Sequence, residues 1–136
     1  MSVEKAIRAK LLTGSATGYI GTATARLYPA IAPQGAAMPF GVYQRIATDY
    51  LEAVNGPQAE ARALVQVTWY DDNYSDVHDL ADAARASLHG WAGTTASITI
   101  RRIYLESERD MFEDPESGGQ TGVHGVAQDY VVWHDT

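Results

Sequence analysis

Between Ala61 and Gly90 the apolar and polar positions change period, from a strand pattern to a helix pattern, across a polar turn. Ala63, Val65, Val67 and Trp69 recur at period two with Arg62, Gln66 and Thr68 interleaved, which predicts a half-buried strand over Ala61–Tyr70. Asp71 to Asp76 then supplies turn formers, a helix cap in Asn73 or Ser75, and carboxylates suited to the positive end of a helix dipole. Val77, Leu80, Ala81, Ala84 and Leu88 follow at steps of three and four on one face, and Gly90 stands where a helix stop favours positive φ. Burying Val77, Leu80 and Leu88 on the sheet contributes roughly 5–8 kcal/mol before chain entropy is counted. A helix packed on a sheet is the expected core.

Val3, Ile7 and Leu11 predict an amino-terminal helix from Ser2 to about Thr13, capped by Ser2 and stopped by Gly14, with Lys5, Arg8 and Lys10 on its other face. Gly14 to Ala25 has no sustained period and reads as a loop with at most a short helical turn. Arg26-Leu27-Tyr28 is a short strand, after which Pro29, Pro33 and Pro39 punctuate a loop kept out of any ladder. Phe40, Val42, Gln44 and Ile46 alternate with Gly41, Tyr43 and Arg45, giving a strand to about Asp49. Asn55-Gly56-Pro57 joins it to the central strand as a hairpin with a long tip. Beyond the helix, the apolar phase slips between Ile98/Ile100 and Ile103/Leu105, so either a β-bulge lies near Arg101-Arg102 or that stretch has a mixed face. Ser107 to Gly122 reads as a long excursion between strands, and Val123–Trp133 as a final strand tied into the sheet. The sum is one domain over residues 1–136, of class α+β: a mostly antiparallel sheet of about 4–5 strands with two helices packed on it.

Composition narrows the function. A net charge of -7, with 10 Lys and Arg against 17 acids, argues against binding nucleic acid through its phosphates. The absence of cysteine excludes a disulfide framework and thiolate metal sites. No apolar run approaches the roughly 20 residues of a membrane helix and the start of the chain carries no signal pattern, so a soluble, unexported chain is expected. Gly14 to Gly21 lacks the GxGxxG and P-loop spacings, and no GxSxG elbow occurs. His78, His89, His124 and His134 are scattered; His78 and Asp82 share a helical face at i,i+4, which fits a solvated helix face better than a metal. Asp71-Asp72-Asn73 lacks the glycine and terminal glutamate of a calcium loop. No catalytic residue, cofactor or metal is therefore expected.

Three stretches in order carry a family resemblance: Leu27 to Gln44 with its Tyr-Pro and Pro-Gln-Gly turns, the strand and helix around Val65–Tyr70 and Ala81–Leu88, and the ending Val126–Trp133 behind an acidic segment. Together with the amino-terminal helix they resemble the tail completion or tail terminator proteins of long-tailed phages and gene transfer agents, over nearly the whole chain. The resemblance implies a structural, non-enzymatic subunit of a virion or virion-like particle, located at the head–tail junction. It would assemble as a hexameric ring on the head-proximal end of the tail tube, stop tube polymerisation and join the head connector or stopper protein. DNA would pass the lumen without specific binding, which an acidic composition suits. A head-side joining adaptor that does not control tail length, and a small-ligand α+β module, stay open as alternatives. Within the acidic excursion, Asp110, Met111, Phe112, Glu113, Asp114 and Glu116 are the expected partner interface, because large apolar residues in an acidic loop suit docking; packing back onto their own domain is the other reading.

Overall fold

A computed structural model describes residues 3–14, 17–21, 26–33, 37–50, 60–95, 97–113 and 123–135. In chain order they form α1 (Val3–Leu11), α2 (Thr17–Ile20), β1 (Leu27–Pro29), β2 (Phe40–Tyr50), β3 (Glu60–Asp71), α3 (Tyr74–Leu88), β4 (Gly93–Thr95), β5 (Ile98–Glu113) and β6 (Val123–Asp135). The strands make one six-stranded sheet in the order β1-β2-β3-β6-β5-β4. The class is α+β as expected, but the sheet is mixed and larger than about 4–5 strands, since β1 runs parallel to β2. β4 escapes sequence reading because Gly93-Thr94-Thr95 is too short to show a period. A one-turn helix, α2, accompanies the two longer ones.

β2 and β3 form the expected antiparallel hairpin, from Phe40 opposite Tyr70 to Tyr50 opposite Ala61, while the Asn55-Gly56-Pro57 turn lies outside the described residues. β3 is central and pairs with β6 from Asp71 opposite His124 to Glu60 opposite Asp135. The phase slip near Arg101-Arg102 is a register shift between Ile100 and Arg102, so the bulge is real. Two further shifts, at Arg45/Ala47 in β2 and Leu105/Ser107 in β5, were not signalled by apolar residues. The excursion expected from Ser107 begins later than the sequence implies, because Ser107 to Glu113 continues β5 and pairs with β6 up to Val123. Residues 106–110 are exposed, so this part of the strand carries polar side chains on both faces and shows no alternation.

One face of the sheet carries α1 and α3. Val65, Val67, Trp69, Ile103, Val126, Tyr130 and Val132 from the strands meet Ile7, Leu11, Leu80 and Leu88 from the helices in one buried cluster. Gly41 is bare where β2 crosses the Trp69 indole, and a Cβ there would overlap the ring. α3 begins as expected, with Asn73 Oδ1 accepting from Asp76 N at 3.0 Å, a cap worth about 1 kcal/mol. It ends at His89, and Gly90 follows with φ of +81°. These two residues then seal the outer edge of β5: Gly90 N donates to Ile103 O at 2.7 Å, and Leu105 N donates to His89 Nδ1 at 3.0 Å. The opposite face of the sheet has no helix on it among the described residues.

The end of the sheet that holds Phe40, Tyr70, Val123 and Glu113 is termed the upper end, and the end that holds Tyr50, Ala61, His134 and Ile98 the lower. β1 covers β2 only over Gly41–Tyr43, at the upper end. β4 covers β5 only over Ile98–Ile100, at the lower end.

Candidate functional site

Beneath α3, the buried Gln128 side chain makes four hydrogen bonds. Its Nε2 donates to Ala81 O at 3.0 Å and Glu108 Oε1 at 2.8 Å, while its Oε1 accepts from Trp69 Nε1 and from the Tyr130 hydroxyl, both at 2.9 Å. Every donor and lone pair of the amide is thereby used, so the group is a structural hub with nothing left to offer a substrate. Burial, reinforced by the Glu108 carboxylate, pushes the Tyr130 hydroxyl well above the usual phenol range, so it stays protonated and donating.

At the upper end the structure divides the expected interface residues between the two faces. Asp110 and Phe112 lie on the helix-covered side, at the first turn of α3. Asp110 Oδ1 is 3.2 Å from His78 Nε2, an ion-pair contact when the imidazole is charged. Tyr74 packs its ring 4.4 Å from His78 and 5.6 Å from His124, and Phe112 lies 4.8 Å from His124. Tyr74 and Phe112 keep 56% and 55% of their surface in solvent, so this aromatic cluster is open for contact. His78 thus turns to Asp110 on the neighbouring strand, and among the described residues no metal-holding group of three or more side chains occurs. Asp71 is buried close by, its Oδ1 accepting from Asp72 N at 2.7 Å; burial raises its carboxyl above the usual range, with Asp72 adding to the effect. Met111 lies on the open side over Gly125, where an added Cβ would come 3.2 Å from Met111 Cε and 3.3 Å from the Tyr70 ring. Met111 therefore packs back on its own domain, whereas Phe112 rests one side on His124 and leaves 55% of its surface exposed. Glu113 closes β5 opposite Val123, and Asp114 and Glu116 lie outside the described residues.

The open face has two zones. Across its upper end runs an apolar row: Met111, Gly125, Tyr70, Phe40 and Tyr28, with the Phe40 and Tyr70 rings stacked at 5.1 Å and the Tyr28 ring 6.3 Å from Phe40. Beside it lies a shallow depression of about 350 Å³, lined by Ile31, Met38, Phe40, Val42, Tyr70 and Val123 among others. Ile31 is 81% exposed at its rim, unusual for so large an apolar residue. Below it runs a polar ladder. Gln44 donates to Gln66 at 3.4 Å, Gln66 donates to Asp129 at 3.1 Å, and Ser107 and Arg109 donate to the other Asp129 oxygen at 2.9 and 3.1 Å. Three arginines here are paired with carboxylates, Arg62 with Asp49, Arg101 with Asp135 and Arg109 with Asp129, while Arg102 lies over the Tyr104 ring. The three paired arginines offer less to phosphates than free cations would, because each already has a carboxylate partner. Single-residue reading missed both zones, although Gln66 and Asp129, placed among apolar neighbours in strands, were the available signal.

The family model of tail completion protein gp17 matches residues 5–135. The chain belongs to the tail completion protein gp17 family. It is thus a structural protein of phage-type tails. Among solved structures, a chain of the virion of a native gene transfer agent particle matches with a TM-score of 0.71 at 12% identity, covering 99% of this chain and 96% of that one. A second solved chain matches with a TM-score of 0.51 at 15% identity, covering 97% and 96%. At these identities both show a shared fold. No curated protein matches the chain by sequence.

Proposed function

We propose that this tail completion protein caps the head-proximal end of a tail tube as a ring, stops tube polymerisation there, and provides the joint to the head connector. The observation that carries this reading is the family match over residues 5–135, and the fold shared with a chain of a gene transfer agent virion supports it. The work of the protein is then done at the head–tail junction of a virion or virion-like particle. The open face suits a DNA passage, since Arg62, Arg101 and Arg109 are already paired with carboxylates and the chain carries a net charge of -7. The upper end is the contact for the tube or the connector, through exposed Phe112 and Tyr74 with Asp110, and through Glu113, Asp114 and Glu116 beyond them.

Deleting the gene in the producing strain and imaging the lysate tests this directly. Tails of uncontrolled length are expected. Normal-length tails separated from filled heads would instead make the protein a joining adaptor without length control, and intact particles would remove both roles.

A further inference from the structure

The two long edges of the sheet are half covered, at diagonally opposite corners. Among the described residues, β1 shields the upper part of β2 and leaves Gln44–Tyr50 unpaired on that side, and β4 and the Gly90 and His89 contacts shield β5 up to Leu105 and leave Ser107–Glu113 unpaired. Both free segments are exposed along most of their length and are templates for adding a strand; the charges they carry, Arg45 and Asp49 on one and Glu108, Arg109 and Asp110 on the other, discourage pairing with any edge but a complementary one.

We infer that copies of this chain join head to tail by antiparallel pairing of Gln44–Tyr50 of one with Ser107–Glu113 of the next, so that one sheet runs on from copy to copy. The inference rests on the ring reading above and specifies how that ring is closed. Three properties of the edges fit each other. Within the sheet β2 and β5 run in opposite senses, so a neighbour placed beside β5 presents its β2 antiparallel without being turned over.

The backbone alternation also fits. Gly41 N donates to Arg26 O and Tyr43 O accepts from Ala30 N, so these residues aim their polar groups outward from β2; carried through the Arg45/Ala47 bulge, the outward set is Arg45, Thr48 and Tyr50. On β5, Ile103 O and Leu105 N point outward, and past the Leu105/Ser107 bulge the outward set becomes Glu108, Asp110 and Phe112. In both sets the side chains lie on the helix-covered side. Pairing outward with outward therefore keeps helices over one face and leaves the other face open all round.

Side-chain complementarity selects the register. With Thr48 opposite Asp110, Asp49 faces Arg109, so the Asp49–Arg62 pair of one copy and the Arg109–Asp129 pair of the next join in one alternating network. Ala47 faces Met111 on the open side, while Tyr50 faces Glu108. A slip of two residues either way sets Ala47 against Arg109 or Glu113 and loses the opposite charges. A head-to-tail contact of this kind covers the free halves of both β2 and β5 once it closes, which is how a ring of sheets disposes of a hazard that a monomer carries.

The chain has no cysteine, so a pair introduced as Ala47→Cys and Met111→Cys, on opposite edges of one sheet, forms a disulfide only between copies. Opposed across a non-hydrogen-bonded pair, their Cα atoms would stand about 4.5 Å apart, inside disulfide range. Under mild oxidation the full-length double variant should give a ladder of linked multimers on a denaturing gel, with each single variant stopping at a dimer. Thr48→Pro is the companion: its own sheet does not use that N–H, so melting should be unchanged while rings on tails are lost. Rings visible by electron microscopy without the ladder, or rings that survive Thr48→Pro, would overturn edge pairing and leave the ring reading standing. A ladder from Ala47→Cys with Arg109→Cys in place of the first pair would overturn the register. Tails capped by a single copy of the unaltered protein would overturn the ring reading and this inference with it.

Discussion

On the helix-covered face Val65, Val67, Trp69 and Tyr130 have lost all contact with solvent, whereas on the open face Gln44, Gln66, Asp129 and Arg109 answer one another across four strands while still partly wet. The first face holds the fold together by burial and close packing, and losses there leave cavities that the structure refills only in part. The second contributes little to stability, because exposed ion pairs and hydrogen bonds largely replace equally good bonds to water. What it contributes is a pattern of charge and shape available to other molecules. A protein whose work is assembly needs both, and this sheet assigns one to each side.

The comparison breaks most visibly at Trp69. Trp69→Ala should cost about 4 kcal/mol by removing the largest buried side chain and one bond to Gln128, read as a fall in the denaturant midpoint at constant slope. Gln128→Ala should cost about 3 kcal/mol, since Trp69 Nε1 and the Tyr130 hydroxyl would be left buried without an acceptor. On the open face Asp129→Ala removes three accepted bonds yet should cost only about 1 kcal/mol by the same assay, because its partners are within reach of water.

Acidity sharpens the contrast at the upper end. The folded state holds the Asp71 proton more tightly than the unfolded chain does, so the stability this group contributes is fully present below the ordinary carboxyl value of 3.8 and is lost as pH rises through the raised folded value. Asp71→Asn should flatten that part of the stability profile, measured by denaturation from acid to neutral pH. The smallest stability effect is expected at Phe112, where Phe112→Ser should change folding by no more than about 0.5 kcal/mol. Tail attachment should nonetheless fall sharply in a complementation assay; unchanged attachment would remove Phe112 from the contact surface.

Sequence alone reached the elements with a strong period. β3, α3 with its Asn73 cap, the β2–β3 hairpin and the bulge after Ile100 were legible because an apolar stripe of definite period, or its slip, marks each. β4 and the upper half of β5 were not, since a three-residue strand and a strand solvated on both faces leave no apolar trace. The residues expected to form an interface loop, Asp110 to Glu113, are strand instead, and the strand's alternation sends Phe112 to one face and Met111 to the other. A deletion that tests the acidic segment should for that reason begin after Glu113, sparing the ladder with β6. The pairing of His78 with Asp110 was invisible because it joins residues far apart in the chain.

Gln128 also bears on how the chain avoids misassembly. Its four partners come from β3, β5, β6 and α3, so they coincide at one point in a single arrangement of those elements. Sliding β6 by one residue would turn Gln128 out to solvent and bring Ala127 or Asp129 beneath α3, offering the Trp69 indole either no acceptor or a buried charge. Compact forms with shifted strands are thereby penalised from within, leaving a single arrangement of the sheet and α3.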